Sequence, residues 1–232
     1  MQSLLSSLAY LWERKVNPTL SSFIAFFGLA WFGVCVITVY ILAKLSDDVL
    51  AQESFAFDET ILLHIHQLAN PALDKLMVFI TRIGDPHTVV PLTGIVFIFL
   101  LIKRQRLAAT FFAIDAAGGV ALSYFLKLAF SKPRPQLWNS AVNEVTYSYP
   151  SGHALGSMVI YGFLSYIFAT LYPRYSAAIY AFAVLMIISI GFSRLYLGVH
   201  WPTDILGGYG IGFLWIMVCI SLLRLRRQGD AF

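Results

Sequence analysis

Charge is what this sequence has least of. Of its 232 residues only 12% are Asp, Glu, Lys or Arg, while 59% are apolar, and the mean hydropathy is +0.74. A water-soluble domain of this length carries about 25% charged residues, so the composition excludes a soluble globule, and the apolar excess excludes a disordered chain. Cysteine is equally scarce. Cys35 and Cys219 both sit inside apolar runs, which leaves neither a disulfide framework nor a thiolate metal site. Internal repeats and low-complexity segments are lacking, the net charge is a modest +4, and no nucleic-acid partner is expected.

What the chain has instead is long uncharged runs. A bilayer core takes about 20 apolar residues per helix, and six stretches approach or meet that length: Ser21–Ala43, His87–Ile102 with Pro91 inside it, Leu107–Leu126 interrupted by Asp115, Ala154–Tyr172, Ala177–Ser193 and Ile205–Leu223. Helix is the expected state, because backbone groups in lipid must be bonded within their own segment. The first run is too long for a signal peptide and has no small-residue cleavage site after it. Between the first two runs, Glu59–Ala69 and Ala72–Ile83 mix apolar and charged residues around Pro71 and predict two short helices at the outer interface. The expectation is therefore an all-α membrane protein with six transmembrane helices, a single domain over 1–232.

Orientation follows from the cations. The N-terminus (Arg14, Lys15), the Lys103, Arg104 and Arg106 connection, Arg174 and the C-terminal Arg224, Arg226 and Arg227 place nine cations and two acids, Glu13 and Asp230, on one side. The other side holds seven cations and nine acids, among them Asp47, Asp48, Glu53, Asp58 and Glu59. Both termini are expected in the cytoplasm, with the connections Lys44–Pro86 and Lys127–His153 outside.

Polar residues concentrate in three outward-facing pieces. Lys127 and Arg134, with Pro135 after them, close the third run; Pro150-Ser151-Gly152-His153 precedes the fourth; and Ser193-Arg194 through His200 to Asp204 bridges the fifth and sixth. Together they hold what phosphoryl transfer needs. Lys127, Arg134 and Arg194 can clamp a phosphate dianion, the guanidinium forks taking two oxygens at once. Ser151 and Gly152 stand where a helix begins, so backbone N–H groups and the helix dipole can cradle another oxygen. Pro202 suits a first helical turn, which puts Asp204 one turn from His200, able to bond one ring nitrogen and leave the other to attack phosphorus. His153 is left to protonate the departing oxygen.

The ordered set K-x6-R-P, P-S-G-H and S-R-x5-H-x3-D, complete across Lys127–Asp204, resembles the type 2 phosphatidic acid phosphatase superfamily in its integral-membrane branch. The resemblance implies a phosphohistidine mechanism with no metal or other cofactor. In it His200 is the nucleophile, Asp204 orients it, His153 is the acid and then activates water, and Lys127, Arg134, Ser151, Gly152 and Arg194 hold the phosphate. It also implies lipid phosphate substrates: phosphatidic acid, phosphatidylglycerol phosphate or a polyprenyl pyrophosphate such as undecaprenyl pyrophosphate. The second and third are preferred, on the reading that so compact a chain belongs in a bacterial inner membrane with its site on the periplasmic face.

Blander readings exist for each piece. Lys127, Arg134 and Arg194 taken singly are ordinary snorkelling cations at helix ends, and His153 and His200 could be packing histidines; only their joint order favours chemistry. His64 and His66 with Asp58 and Glu59 do not make a metal site, since His-x-His splits its ligands between helix faces. Asp115 is expected to be a neutral or hydrogen-bonded acid tying helices together, and Gly118 and Gly119 to permit close helix contact. Trp201 and Tyr196 could shape the site or simply fill space. A lipid phosphotransferase sharing the phosphohistidine, and a non-catalytic binder or transporter of anionic lipids, are the alternatives.

Overall fold

The apolar runs do fold as helices. The computed structural model describes residues 17–51, 56–142 and 144–229, and among them every regular element is helical. These are α1 (Asn17–Leu50), α2 (Ala56–His66), α3 (Pro71–Ile83), α4 (Pro86–Ile102), α5 (Arg106–Phe130), α6 (Gly152–Leu171), a 3-10 turn at Pro173–Tyr175, α7 (Ser176–Tyr196) and α8 (Pro202–Gly229). Arg14, Lys15, Glu13, Glu53 and Asp230, used above for orientation, lie outside the described residues.

Helix boundaries follow local chemistry. The run Glu59–Ala69 was expected to stay helical to Ala69; instead α2 stops at His66, and the Leu68 and Ala69 amides bond the carbonyls of Ile65 and His66 at 3.0 and 2.9 Å. That tight turn delivers Asn70, whose side chain caps α3 by accepting from Ala72 and Leu73, with Pro71 at the first helical position. Ser131 ends α5 in the left-handed region at φ 47°. Ser151 caps α6 by accepting from the Ala154 amide. Gly198 also has a left-handed φ, 68°, and a Cβ there would meet the Trp138 ring at 2.5 Å. Both constraints require glycine in the turn that carries the chain to His200.

Among the described residues, four stretches are long and apolar enough to cross a membrane: Arg106–Phe130, Gly152–Leu171, Pro173–Tyr196 and Pro202–Gln228. Helices α3 and α4, bent by 43° at their break, reach that length and hydropathy only together. Large apolar side chains stand exposed along these helices, including Ile95 and Ile98 on α4, Val120 and Phe125 on α5, and Phe182, Leu185 and Ile188 on α7. Such continuous apolar surface belongs against lipid rather than water.

The chain divides into two compact units, residues 1–41 and 42–232. In the first, the described part is the opening of α1, with Trp31, Phe32, Ile37 and Tyr40 exposed. In the second, α6 packs against α5, α7 and α8, with Leu155, Val159 and Phe163 fully buried. Small residues set the spacing. A Cβ on Gly118 would overlap the Trp215 ring and one on Gly119 would press on Val159 at 3.0 Å, so both glycines permit the close helix contact expected of them. Asp115 is fully buried, and its carboxyl interacts with the Cys219 thiol of α8. Its backbone carbonyl adds a second tie between α5 and α8, accepting from the Trp215 indole at 2.9 Å. Met77 of α3 packs with Tyr196, Leu197 and Val199, seating α3 against the end of α7.

Candidate active site

The three polar pieces of the sequence meet at one end of the second unit. His200 lies in the turn between α7 and α8, 1% exposed. Its Nδ1 is 3.3 Å from Asp204 Oδ2, one helical turn on, and its Nε2 is 3.2 Å from the Arg134 guanidinium. Asp204 is fully buried and heavily engaged. Oδ2 also accepts from the Trp201 amide at 2.9 Å and from the Ser148 hydroxyl, while Oδ1 accepts from Lys132 Nζ at 2.9 Å. Burial pushes the His200 imidazole well below its usual range, and the Arg194 and Arg134 charges push the same way, outweighing Asp204. Neutral imidazole is the form with a lone pair to give.

The three expected cations also come together. Arg134 donates to the carbonyls of Thr146 and Val199 at 2.7 and 2.6 Å and, with Lys127, to the carbonyl of Tyr147. Arg194 reaches in from the last turn of α7, 1% exposed, donates to Thr81 of α3 at 2.7 Å, and shares Glu144 with Arg134. Gly152 opens α6, so the amides of its first turn have no acceptor within the helix. Ser151 differs from expectation in one respect. Its own N–H donates to the Asp204 carbonyl at 3.1 Å, so that amide braces α8 against α6 and is not a free phosphate donor. His153 has Nε2 2.7 Å from Asp85 Oδ1, at the break between α3 and α4, and lies near enough to Glu144 to act on its charge.

Several of these partners were not legible in the sequence. Lys132 occupies an unspecified position of the first motif, yet it bridges Asp204 and, at 3.8 Å, Asp58. Asp58 lies far away in sequence and accepts from the Thr203 amide and hydroxyl at 3.0 and 2.6 Å, which pins the start of α8. Burial raises its carboxyl above the usual range despite Thr203 and Lys132. Glu144 and Asp85 stood only in the acid count, and Ser148 had no signal at all. Trp201 donates to the Pro133 carbonyl at 3.1 Å, its ring under the Lys132 ammonium, and so shapes the site. Tyr196 turns away to Asp74 and Asn70. His64 bonds the Thr60 carbonyl, His66 stacks on Trp138, and Asp58 is held by Thr203, so these residues do not converge on a common point.

The chain resembles known proteins. A sequence model described as the PAP2 superfamily matches residues 108–228. Phosphatidylglycerophosphatase B of Bacillus subtilis is 28% identical over 160 residues, 68% of this chain and 78% of that protein. An undecaprenyl-diphosphatase of Sulfolobus acidocaldarius is 29% identical over 156 residues, 65% and 70% of the two chains. Among solved structures, the transmembrane PAP2-type phosphatidylglycerolphosphate phosphatase of Bacillus subtilis superposes with a TM-score of 0.75 at 25% identity, covering 81% of this chain and 94% of that one. LpxE of Aquifex aeolicus superposes with a TM-score of 0.60 at 26% identity, covering 73% and 98%. With more than half its length inside the family match and its fold shared with membrane phosphatases, the chain belongs to the PAP2 superfamily, as an integral-membrane hydrolase of the lipid-phosphatase kind.

Proposed function

We propose that this protein removes a terminal phosphate from a membrane lipid through a phosphohistidine on His200, without a metal. The observation that carries the reading is the orientation of His200: Nδ1 faces Asp204 while Nε2 faces Arg134, among the cations that would hold phosphate. Nε2 attacks phosphorus, the P–O bond to the lipid breaks, its electron pair stays on the leaving oxygen, and His153 supplies the proton. Asp204 accepts from Nδ1–H and stabilises the positive charge that forms on the ring. Water, deprotonated by His153, then attacks phosphorus; the P–N bond breaks, its electron pair returns to Nε2, and phosphate leaves with His200 neutral again. Lys127, Arg134, Arg194 and the opening amides of α6 at Gly152 hold the phosphoryl oxygens throughout, and Ser151 serves mainly to hold α6 and α8 together.

The relatives support phosphatidylglycerol phosphate or undecaprenyl pyrophosphate as substrate, with phosphatidic acid third. Residues 1–232 act as one phosphatase domain with its motif core at 127–204. The chain crosses a bacterial inner membrane six times, with α2 and α3 at the outer interface, the termini in the cytoplasm and the site on the periplasmic side. There a lipid keeps its tails in the bilayer while its phosphate enters the cationic pocket.

The test is phosphate release by purified protein from these three lipids in detergent micelles. His200→Ala and His153→Ala are each expected to lower kcat/KM by at least about 10²-fold. Turnover within about threefold of wild type in either variant overturns the assigned roles, and labelled phosphate appearing only on another lipid would make the protein a phosphotransferase.

A further inference from the structure

The two arginines assigned to the phosphate are not empty-handed. Glu144 bridges them, one carboxylate oxygen on Arg194 and the other 3.4 Å from Arg134. It comes from the connector between α5 and α6, and its side chain is 24% exposed above an Arg194 that is 1% exposed. An internal anion therefore covers the cationic seat from the solvent side. Burial works against its charge, yet the Arg194 and Arg134 guanidinium groups hold the Glu144 carboxyl below the usual range, so the seated anion is ionised.

A carboxylate is a poor replica of a terminal phosphate. It has two oxygens in a plane and one charge, whereas a phosphomonoester has three free oxygens and nearly two charges at neutral pH. The mismatch shows at Arg194: with both terminal nitrogens bonded, Nε is buried and has no partner among the described residues. A tetrahedral anion has the additional oxygen that this donor lacks.

The charge comparison has a consequence in a membrane. Phospholipids of the bulk bilayer are phosphodiesters, each phosphate carrying one negative charge, and they outnumber any terminal-phosphate lipid. A tethered carboxylate competes at an effective concentration in the millimolar range or above. A diester must displace an equal charge with no electrostatic gain, while a monoester or a pyrophosphate brings extra charge and an extra acceptor to the same forks. Resting on the phosphatase reading above, we propose that Glu144 is a specificity-determining residue, a built-in monoanion on the Arg134–Arg194 pair that yields to terminal phosphates and excludes phosphodiester headgroups.

Two small probes separate charge from lipid shape: methyl phosphate, a terminal phosphate, and dimethyl phosphate, a diester. Their affinities are measured by calorimetry on purified wild type, Glu144→Gln and Glu144→Ala. Wild type is expected to prefer methyl phosphate by at least about tenfold, and both variants to narrow that ratio at least about tenfold by binding dimethyl phosphate more tightly. In the activity assay, phosphatidylglycerol added to the micelles becomes a competitive inhibitor of the variants at concentrations that leave wild type unaffected. An unchanged ratio, or weaker binding of both probes, overturns the proposal and makes Glu144 a brace for the arginines. Should the variants fail to fold, carbodiimide labelling of Glu144 in wild type decides: vanadate is expected to increase it, and unchanged labelling overturns the proposal. Because the probes read binding, a protein that releases no phosphate would refute the phosphatase reading while the anion seat is still measured.

Discussion

At the scale of single residues, the site is organised around Asp204 more than around the histidine it serves. Its two oxygens accept from Lys132, Ser148, the Trp201 amide and His200, so Asp204→Asn breaks a buried network as well as the tautomer of His200. We expect that variant to lose about 10² to 10⁴ in kcat with a smaller change in KM, read by steady-state kinetics. Lys132 balances two buried carboxylates, Asp58 and Asp204. Lys132→Met leaves both without their shared cation, and a loss of about 3 kcal/mol or more follows from uncompensated buried charge, read as a lowered Tm. His200 sets a pH dependence of defined sign. Unfolded, it protonates near pH 6.5; folded, burial keeps it neutral well below that. The unfolded state therefore binds more protons in the interval, and His200 contributes stability that is complete above about pH 6.5 and lost as pH falls towards the folded value. Thermal unfolding from pH 7 to 5 is expected to show that slope, and His200→Asn to flatten it. The acidic limb of kcat/KM is expected below the ordinary imidazole range for the same reason.

At the scale of helices, the geometry of the proposed site depends on how closely α6 and α8 approach. Gly208 lies one turn after Asp204, and a Cβ there would sit 2.8 Å from the Ser151 carbonyl oxygen and 2.9 Å from Ala154 Cβ. The contact is mostly backbone and cannot yield by a rotamer change. Gly208→Val is expected to cost about 1–3 kcal/mol by overpacking and, by parting the Ser151 amide from the Asp204 carbonyl, to lower kcat further than stability alone explains; Tm and kcat measured together check this. The helices themselves were legible, because uncharged length, Pro71 and the Ser151-Gly152 helix start are local signals; the Asn70 cap came only from the structure. The end of α2 was not, since Leu68 and Ala69 are apolar and nothing in their identity announces the turn that presents Asn70 to α3. Nor does composition show that α3 and α4 act as a bent pair, which the Gly84-Asp85-Pro86 break decides and which brings Asp85 to His153.

At the scale of the whole molecule, the outward placement of the site is the main expectation still to be measured. Ala141 is exposed on the connector that carries Glu144. In a Cys35→Ser background, Ala141→Cys is expected to react with an impermeant maleimide in intact cells; reaction only after permeabilisation would invert the orientation. The chemistry above draws every charge it needs from Lys127, Arg134, Arg194 and the two histidines, so full activity after exhaustive chelation is expected, and a strict Mg²⁺ requirement would contradict it.

The sequence by itself determined a helical membrane chain and the motif residues of its site, because apolar length, caps and motif spacing are written in consecutive residues. The order of Lys127, Arg134, His153, Arg194, His200 and Asp204 was enough to assign the family. Tertiary structure decided what stands behind and in front of those residues. Asp58 and Lys132 brace Asp204, Asp85 holds His153, and Glu144 occupies the arginines. Each of these is a charged side chain whose partner is distant in sequence or hidden within a motif gap. Such pairs are selected by burial, since a charge removed from water must find an opposite charge wherever packing brings one, and that choice cannot be read along a chain.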